Sequence, residues 1–160
     1  MSLPMITKDS RRTVVCSVDP CVVLKTLPQT DDEKAKGVPL KHEARRPIRW
    51  LDVAEEVDLV LAGATRVTYR PLDADEQFQI AGGLPTRDRA TLDRANHVAP
   101  LYAVTQIETT LADGTQRVAS TPEQVRELLP LALKSIYRDP LGARIVDESW
   151  GYVDPLLKSE

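Results

Sequence analysis

The stretch from Thr121 to about Tyr137 constrains the fold more than any other. Val125, Leu128, Leu129, Ala132, Leu133 and Ile136 recur at i, i+3, i+4, i+7, i+8 and i+11, the spacing of one apolar helix face. Thr121 supplies an N-cap hydroxyl, and Pro122 suits the first helical position, where no amide hydrogen is needed. Gln124 can reach back to the Thr121 amide as a capping box, and Glu123 complements the positive end of the helix dipole. Pro130 removes one backbone hydrogen bond, so the spacing predicts a kink or a split after Leu129. A helix with a single apolar stripe needs a surface to cover it, and most of the preceding chain reads as that surface.

With 160 residues one domain is the default, with enough chain for a modest core. Leu, Val and Ala dominate the apolar content and there is one Phe, which favours small-side-chain packing over a large aromatic pocket. A net charge of −3 argues against a general nucleic-acid binder. Met1-Ser2-Leu3-Pro4 lacks the basic and apolar regions of a signal peptide, and no apolar run has bilayer-spanning length. Cytosolic synthesis with reduced thiols is the expectation, and a membrane partner is not.

Residues 1–12 carry Pro4 and charge without periodicity, and read as an extended arm. Thr13–Val18 and Cys21–Leu27 are β-branched runs separated by Asp19-Pro20, which predicts two short strands in a hairpin. From Pro28 to Pro47 the chain is charged and linker-like. Asp52 can cap a helical turn through Glu55 and Glu56, or Val57, Leu59 and Leu61 can start a strand. Thr65–Arg70 alternates as a half-buried strand closed by Pro71. Asp73 to Glu76 opens a short helix, Ala74 to Ala81, ended by Gly82-Gly83. Thr86 caps a longer predicted helix from about Arg87 to Thr109, with Leu92, Ala95, Ala99 and Ala103 as its stripe and a kink or break near Ala99 before Pro100. Asp113-Gly114 is a turn, Gln116 to Ala119 a short strand or link, and Asp139-Pro140 starts a last helix or turn toward Trp150. Tyr152 to Leu157 is an extended tail with apolar side chains that must dock on something.

Chemistry-bearing patterns are sparse. Cys16, Cys21, His42 and His97 are the soft-ligand candidates, but Cys-x4-Cys is loose for zinc and the histidines are far apart, so small buried thiols are the better account. His97 has Asp93 four residues before it but no nucleophile beside it, which fits a structural histidine. Gly82-Gly83-Leu84-Pro85 lacks a following Gly-Lys-Ser/Thr and is not a phosphate loop. No catalytic, cofactor-binding or metal-binding residue is assigned. The sharpest anomaly is the basic stretch Lys34, Lys36, Lys41, Arg45, Arg46 and Arg49, six cations against the single carboxylate Glu43. It suits an acidic protein surface, a nucleic-acid backbone or a solvated linker.

Thr65 to Tyr137 resembles small tail-assembly and baseplate-type proteins of tailed bacteriophages. The residues that carry the resemblance are Val67-Thr68-Tyr69-Arg70-Pro71-Leu72-Asp73-Ala74-Asp75-Glu76, then Arg94-Ala95-Asn96-His97-Val98-Ala99 with Gln106-Ile107-Glu108 and Asp113-Gly114. Ser120-Thr121-Pro122-Glu123 with Leu128-Leu129-Pro130-Leu131 completes the order. The resemblance implies no catalytic residue, and the long segment Met1 to Arg49 departs from it, looking more like an arm that laces subunits together.

The reading that follows is an α+β fold, with short strands of the N-terminal half packed on a C-terminal helical part. Residues 1–49 are expected as an extended arm with short strands and a basic linker, 50–150 as the core domain and 151–160 as an extended tail. The expected role is a non-enzymatic virion or assembly component in tail, neck or baseplate, synthesised in the host cytoplasm and acting as an oligomer with other virion proteins. Its partner-binding residues would be Lys34, Lys36, Lys41, Arg45, Arg46, Arg49, Trp50, Trp150, Leu156 and Leu157. The alternative is a small nucleic-acid-associated or regulatory protein using Lys34–Arg49.

Overall fold

Strand alternation and helix spacing sort the chain into twelve elements in a computed structural model that describes residues 10–82 and 88–150. The strands are β1 (Arg12–Cys16), β2 (Val22–Leu24), β3 (Trp50–Asp52), β4 (Val57–Val60), β5 (Arg66–Tyr69), β6 (Val104–Thr110) and β7 (Gln116–Ala119). The helices are α1 (Asp31–Ala35), α2 (Ala74–Ala81), α3 (Arg89–Ala103), α4 (Pro122–Ala132) and α5 (Ser135–Trp150). The fold is α+β, with most of the sheet drawn from the first half and the main helices from the second. Residues 1–9, Gly83, Thr86, Arg87 and the tail from residue 151 lie outside the described residues, as does the Trp150 side chain.

All pairings in the five-stranded sheet, ordered β3-β1-β5-β6-β7, are antiparallel. β1 is an inner strand with both faces covered: Val14 and Val15 point to opposite sides and both are fully buried. Val14, Cys16, Trp50, Val67, Tyr69, Ile107 and Ala119 face the helices, where they meet Val125, Leu128, Leu129, Leu141, Ile145 and Val146. Val15 and Leu51 face the other way, onto a ribbon of β2 and β4 that contributes Val22, Leu24 and Val57. The segment 12–49 is therefore not a separable arm, because its first strand is built into the middle of the sheet. Nor do β1 and β2 form a hairpin. The Asp19 side chain accepts from the Cys21 amide at 2.9 Å in a turn that sends β2 into the second sheet.

Two helix starts are as the sequence predicts, whereas α3 is capped by Asp88, whose side chain accepts from the Thr91 amide, two residues beyond the expected cap. Thr121 and Asp73 each complete a capping box, with Gln124 and Glu76 respectively, and Gly82 ends α2 at φ 69°, a left-handed conformation suited to glycine. A third capping box, Thr30 with Glu33, opens the short α1 inside the stretch expected to be linker, though α1 buries none of its residues.

Pro100 and Pro130 do not break their helices, and the last helix starts earlier than Asp139-Pro140 suggests. α4 runs through Pro130 to Ala132, and α5 begins at Ser135, ahead of Pro140. The carbonyls these prolines leave unbonded belong to Arg126 and Ile136, on exposed residues where water can take them. α3 likewise continues through Pro100, but stops at Ala103 rather than Thr109. Val104, Thr105, Ile107, Thr109 and Thr110 are β-branched, with Ile107 and Thr109 buried in alternation, and strand β6 takes them.

α3 and α5 make the closest helix pair. Ala95, Ala99 and Ala103 are fully buried along one side of α3. A Cβ placed on Gly142 of α5 would lie 1.5 Å from the Asn96 carbonyl oxygen. Pro100 has no N–H to offer that i−4 carbonyl, which instead meets the bare Cα of Gly142.

Candidate functional site

The structure divides the basic stretch into two groups. Arg45 donates to the backbone carbonyls of Ser17, Asp19 and Val22, and its own carbonyl accepts from the Ser17 hydroxyl. Arg49 donates to the carbonyls of Ala44 and Pro47, and its amide donates to Ser17 Oγ. Both arginines therefore fasten the 44–49 segment to the β1–β2 turn. Lys34, Lys36, Lys41 and Arg46 are exposed, with Lys36 paired to Asp32 at 3.1 Å across open solvent. Such a pair contributes about 0–1 kcal/mol. Trp50, expected on a contact surface, is buried at 3 % exposure and donates its indole N–H to the Tyr137 carbonyl at 2.7 Å. Its place on β3 puts the ring in the main core, not on a contact surface. Leu156 and Leu157 lie outside the described residues.

Cys16 and Cys21 are free thiols lining one cleft of about 290 Å³, together with Asp19, Trp50, Leu133 and Tyr137. Burial pushes the Cys16 thiol above its ordinary pKa, which keeps it protonated and a poor nucleophile. The histidines are elsewhere. His42 Nδ1 lies 2.9 Å from the Leu24 carbonyl, and His97 Nδ1 lies 2.9 Å from Asp139 rather than beside Asp93. Among the described residues no group of three or more His, Cys, Asp or Glu is placed to hold a metal ion. Nor, among them, is any helix long and apolar enough to cross a membrane.

The densest polar constellation is one that sequence spacing did not single out. It lies between α5 and the β1-β3-β5 end of the sheet. Arg144 donates to the Trp50 carbonyl at 2.6 Å and to Tyr69 Oη at 3.0 Å, and pairs with Glu56 at 2.8 Å and Glu148 at 3.1 Å. Tyr69 donates its hydroxyl to Glu148 at 2.7 Å. Arg12 donates to Asp52 at 2.9 Å, and its Nε lies 3.1 Å from Glu148 without the alignment of a hydrogen bond. Burial first, then the Glu148 carboxylate, outweighs Arg144 and drives the Tyr69 phenol far above its ordinary pKa. Burial alone would lower Arg144, but Tyr69, Glu56 and Glu148 together hold its guanidinium firmly charged.

Chemically this is a brace rather than a reaction centre. Tyr69 is fully buried, and each carboxylate already accepts from a guanidinium, a phenol or a backbone amide. The sequence traces of the brace are two i, i+4 pairs, Arg144 with Glu148 on α5 and Asp52 with Glu56 in the turn after β3. Arg12, the Asp52–Glu56 pair and Tyr69 are supplied by three other segments, which meet only in three dimensions.

Compared with protein-family models, with curated proteins and with solved structures, the chain finds no match in any of the three.

Proposed function

We propose that this chain is a non-enzymatic structural or assembly component of a tailed-phage virion, in the tail, neck or baseplate, working through contacts with other subunits. The observation that carries the reading is the exposed apolar pair at the α4–α5 joint. Leu131 and Ile136 are 66 % and 58 % exposed, although Ile136 belongs by spacing to the buried stripe. They flank Ala132, Leu133 and Tyr137, which line the neighbouring cleft, so the joint offers an apolar rim to another protein surface. The order of residue types from Thr65 to Tyr137 supplies the phage context.

Mass spectrometry of purified particles and assembly intermediates from the phage or prophage that encodes the chain tests this. The chain should be present in stoichiometric amount, and its absence from both would overturn the reading. Leu131→Lys combined with Ile136→Lys should leave circular dichroism unchanged while cutting incorporation by about tenfold or more, since a desolvated charge at an apolar contact weakens binding by kilocalories.

A further inference from the structure

We propose that β7 is a dimerisation strand, pairing antiparallel with β7 of a second copy about a two-fold axis at Val118. The inference deepens the assembly reading by naming one subunit contact and its partner.

A sheet edge left open invites another strand, and proteins usually block such edges. The two sheets of this fold have four edges, three of which are guarded. On β3 the Asp52 amide donates to Glu56 and the Trp50 carbonyl accepts from Arg144. On β2 the Val22 carbonyl accepts from Arg45, and the Leu24 carbonyl lies against His42 Nδ1. β4 pairs through a register shift, carries Asp58, and has its Val60 carbonyl 3.5 Å from Arg66 Nη2.

β7 shows neither a blocked outward main-chain group nor a register shift among the described residues. Its pairing with β6 runs without a register shift, it contains no proline, and Arg117 is its one charge. The Leu111 amide donates to the Thr115 carbonyl at 2.9 Å, which makes that pair a hydrogen-bonded one. Bonded and non-bonded pairs alternate along an antiparallel ladder, so Arg117 and Ala119 bond inward to β6. The N–H and C=O groups of Gln116 and Val118 therefore face outward. Val118 is 59 % exposed as well.

The occupant that fits is a second copy. Centring the pairing on Val118 gives reciprocal bonds between the two Val118 backbones and places each Gln116 amide against the Ser120 carbonyl of the other copy. Ser120's own amide is already committed to Gln124, so only its carbonyl is needed. In this register Arg117 stands opposite the small Ala119. The neighbouring register, centred on Arg117, would set like charges face to face. Among the described residues each copy has one open edge, and reciprocal pairing consumes both, so the assembly closes at two instead of growing into a fibre.

Size-exclusion chromatography with light scattering tests the proposal on the full chain. Wild type should run at twice the 17.8 kDa chain mass. Val118→Pro removes the outward amide while sparing the β6 ladder, and Val118→Lys sets a charge against its own copy. Both should be monomers, with dimer affinity reduced by about tenfold or more. Should the proline variant not fold, the lysine variant decides, since position 118 is exposed and its circular dichroism reports folding. In wild type the Gln116 and Val118 amides should be protected from hydrogen exchange at high concentration and lose that protection on dilution, while Arg117 and Ala119 stay protected. A wild-type monomer at millimolar concentration, or a dimer unaffected by Val118→Lys, overturns the interface. A monomer found in particles would remove this inference alone, whereas a dimer absent from particles would remove the virion reading alone.

Discussion

Gly142→Ala should destabilise the fold by about 3 kcal/mol or more, the upper end of what overpacking costs. The sign is the point of interest. Inside an ordinary helix the same exchange adds about 0.5–1 kcal/mol, because glycine loses more backbone freedom on folding. At 142 the new methyl would meet the backbone of α3, 1.5 Å from the Asn96 oxygen, 2.5 Å from its carbonyl carbon and 2.9 Å from its Cα. None of these atoms can rotate aside, so the helices must part. Parting lifts α5 from the Ala95, Ala99 and Ala103 stripe, where dispersion contacts fall off steeply with distance. It also displaces Arg144, two residues further on. Urea denaturation of Gly142→Ala beside Ala143→Gly checks the effect. The second exchange, on a half-buried face of the same helix, should cost only about 1 kcal/mol. If Gly142→Ala were neutral or stabilising, the close backbone contact would not exist in solution.

Arg144→Met is expected to cost about 3–5 kcal/mol, since it leaves buried carboxylates without their cation. Glu56, Tyr69 and Glu148 all lean on that guanidinium, and in its absence Glu148 faces Arg12 and the Tyr69 hydroxyl with one cation fewer. Arg89→Met provides the contrast. Its pair with Asp93 is on the surface, 87 % and 62 % exposed, where solvent reduces an ion pair to about 1 kcal/mol or less. For a chain of this size each kcal/mol moves Tm by about 2–4 °C, so the two variants should be separated clearly by calorimetry. An Arg144→Met midpoint indistinguishable from that of Arg89→Met would mean that the brace contributes nothing to stability.

The same brace makes a pH prediction. Tyr69 has its pKa raised by folding, so its contribution is fully present below the unfolded value of about 10 and is lost as pH rises beyond it. Above that pH the unfolded chain releases the Tyr69 proton while the folded chain retains it, and unfolding gains. Phenylalanine has no proton to lose. The stability gap between wild type and Tyr69→Phe should therefore narrow from pH 9 to about pH 11. A gap that stays constant would place Tyr69 in an environment that does not resist ionisation.

Local signals were legible in the sequence where the physics is local. Thr121 with Gln124, Asp73 with Glu76, and the Asp113-Gly114 turn depend on side chains within a few residues of the backbone they serve. The α3 stripe of alanines was visible for the same reason. The errors came where distant partners decide. Val104 to Thr109 reads as helix when the preceding stripe is extended, although its β-branched content favours a strand. Val14-Val15 was placed in a two-stranded hairpin, although consecutive buried valines imply a strand covered on both faces. Pro100 and Pro130 permit either a kink or a break, and where the freed carbonyl points decides which, while Asp139-Pro140 reads as a helix start although α5 begins earlier, at Ser135. The brace is invisible in the sequence because Arg12, Asp52, Glu56, Tyr69, Arg144 and Glu148 span almost the whole chain, and its two i, i+4 pairs, Asp52 with Glu56 and Arg144 with Glu148, lie about ninety residues apart. The basic stretch misled in the opposite direction: Arg45 and Arg49 look like surface charge in composition and serve as backbone fasteners in the fold.

The inner position of β1 governs when this protein can fold. Its hydrogen-bonding partner β5 emerges about fifty residues later in synthesis, and the side chains that finish the brace on its far side come from α5, near residue 150. Pairings so widely separated make a slow, late transition state, because the loop must close before any contact rewards it. The strand partners of Val14-Val15-Cys16 are complete by residue 69, but the packing over Val14 and Cys16 is not finished until Leu141, Ile145 and Val146 have been made.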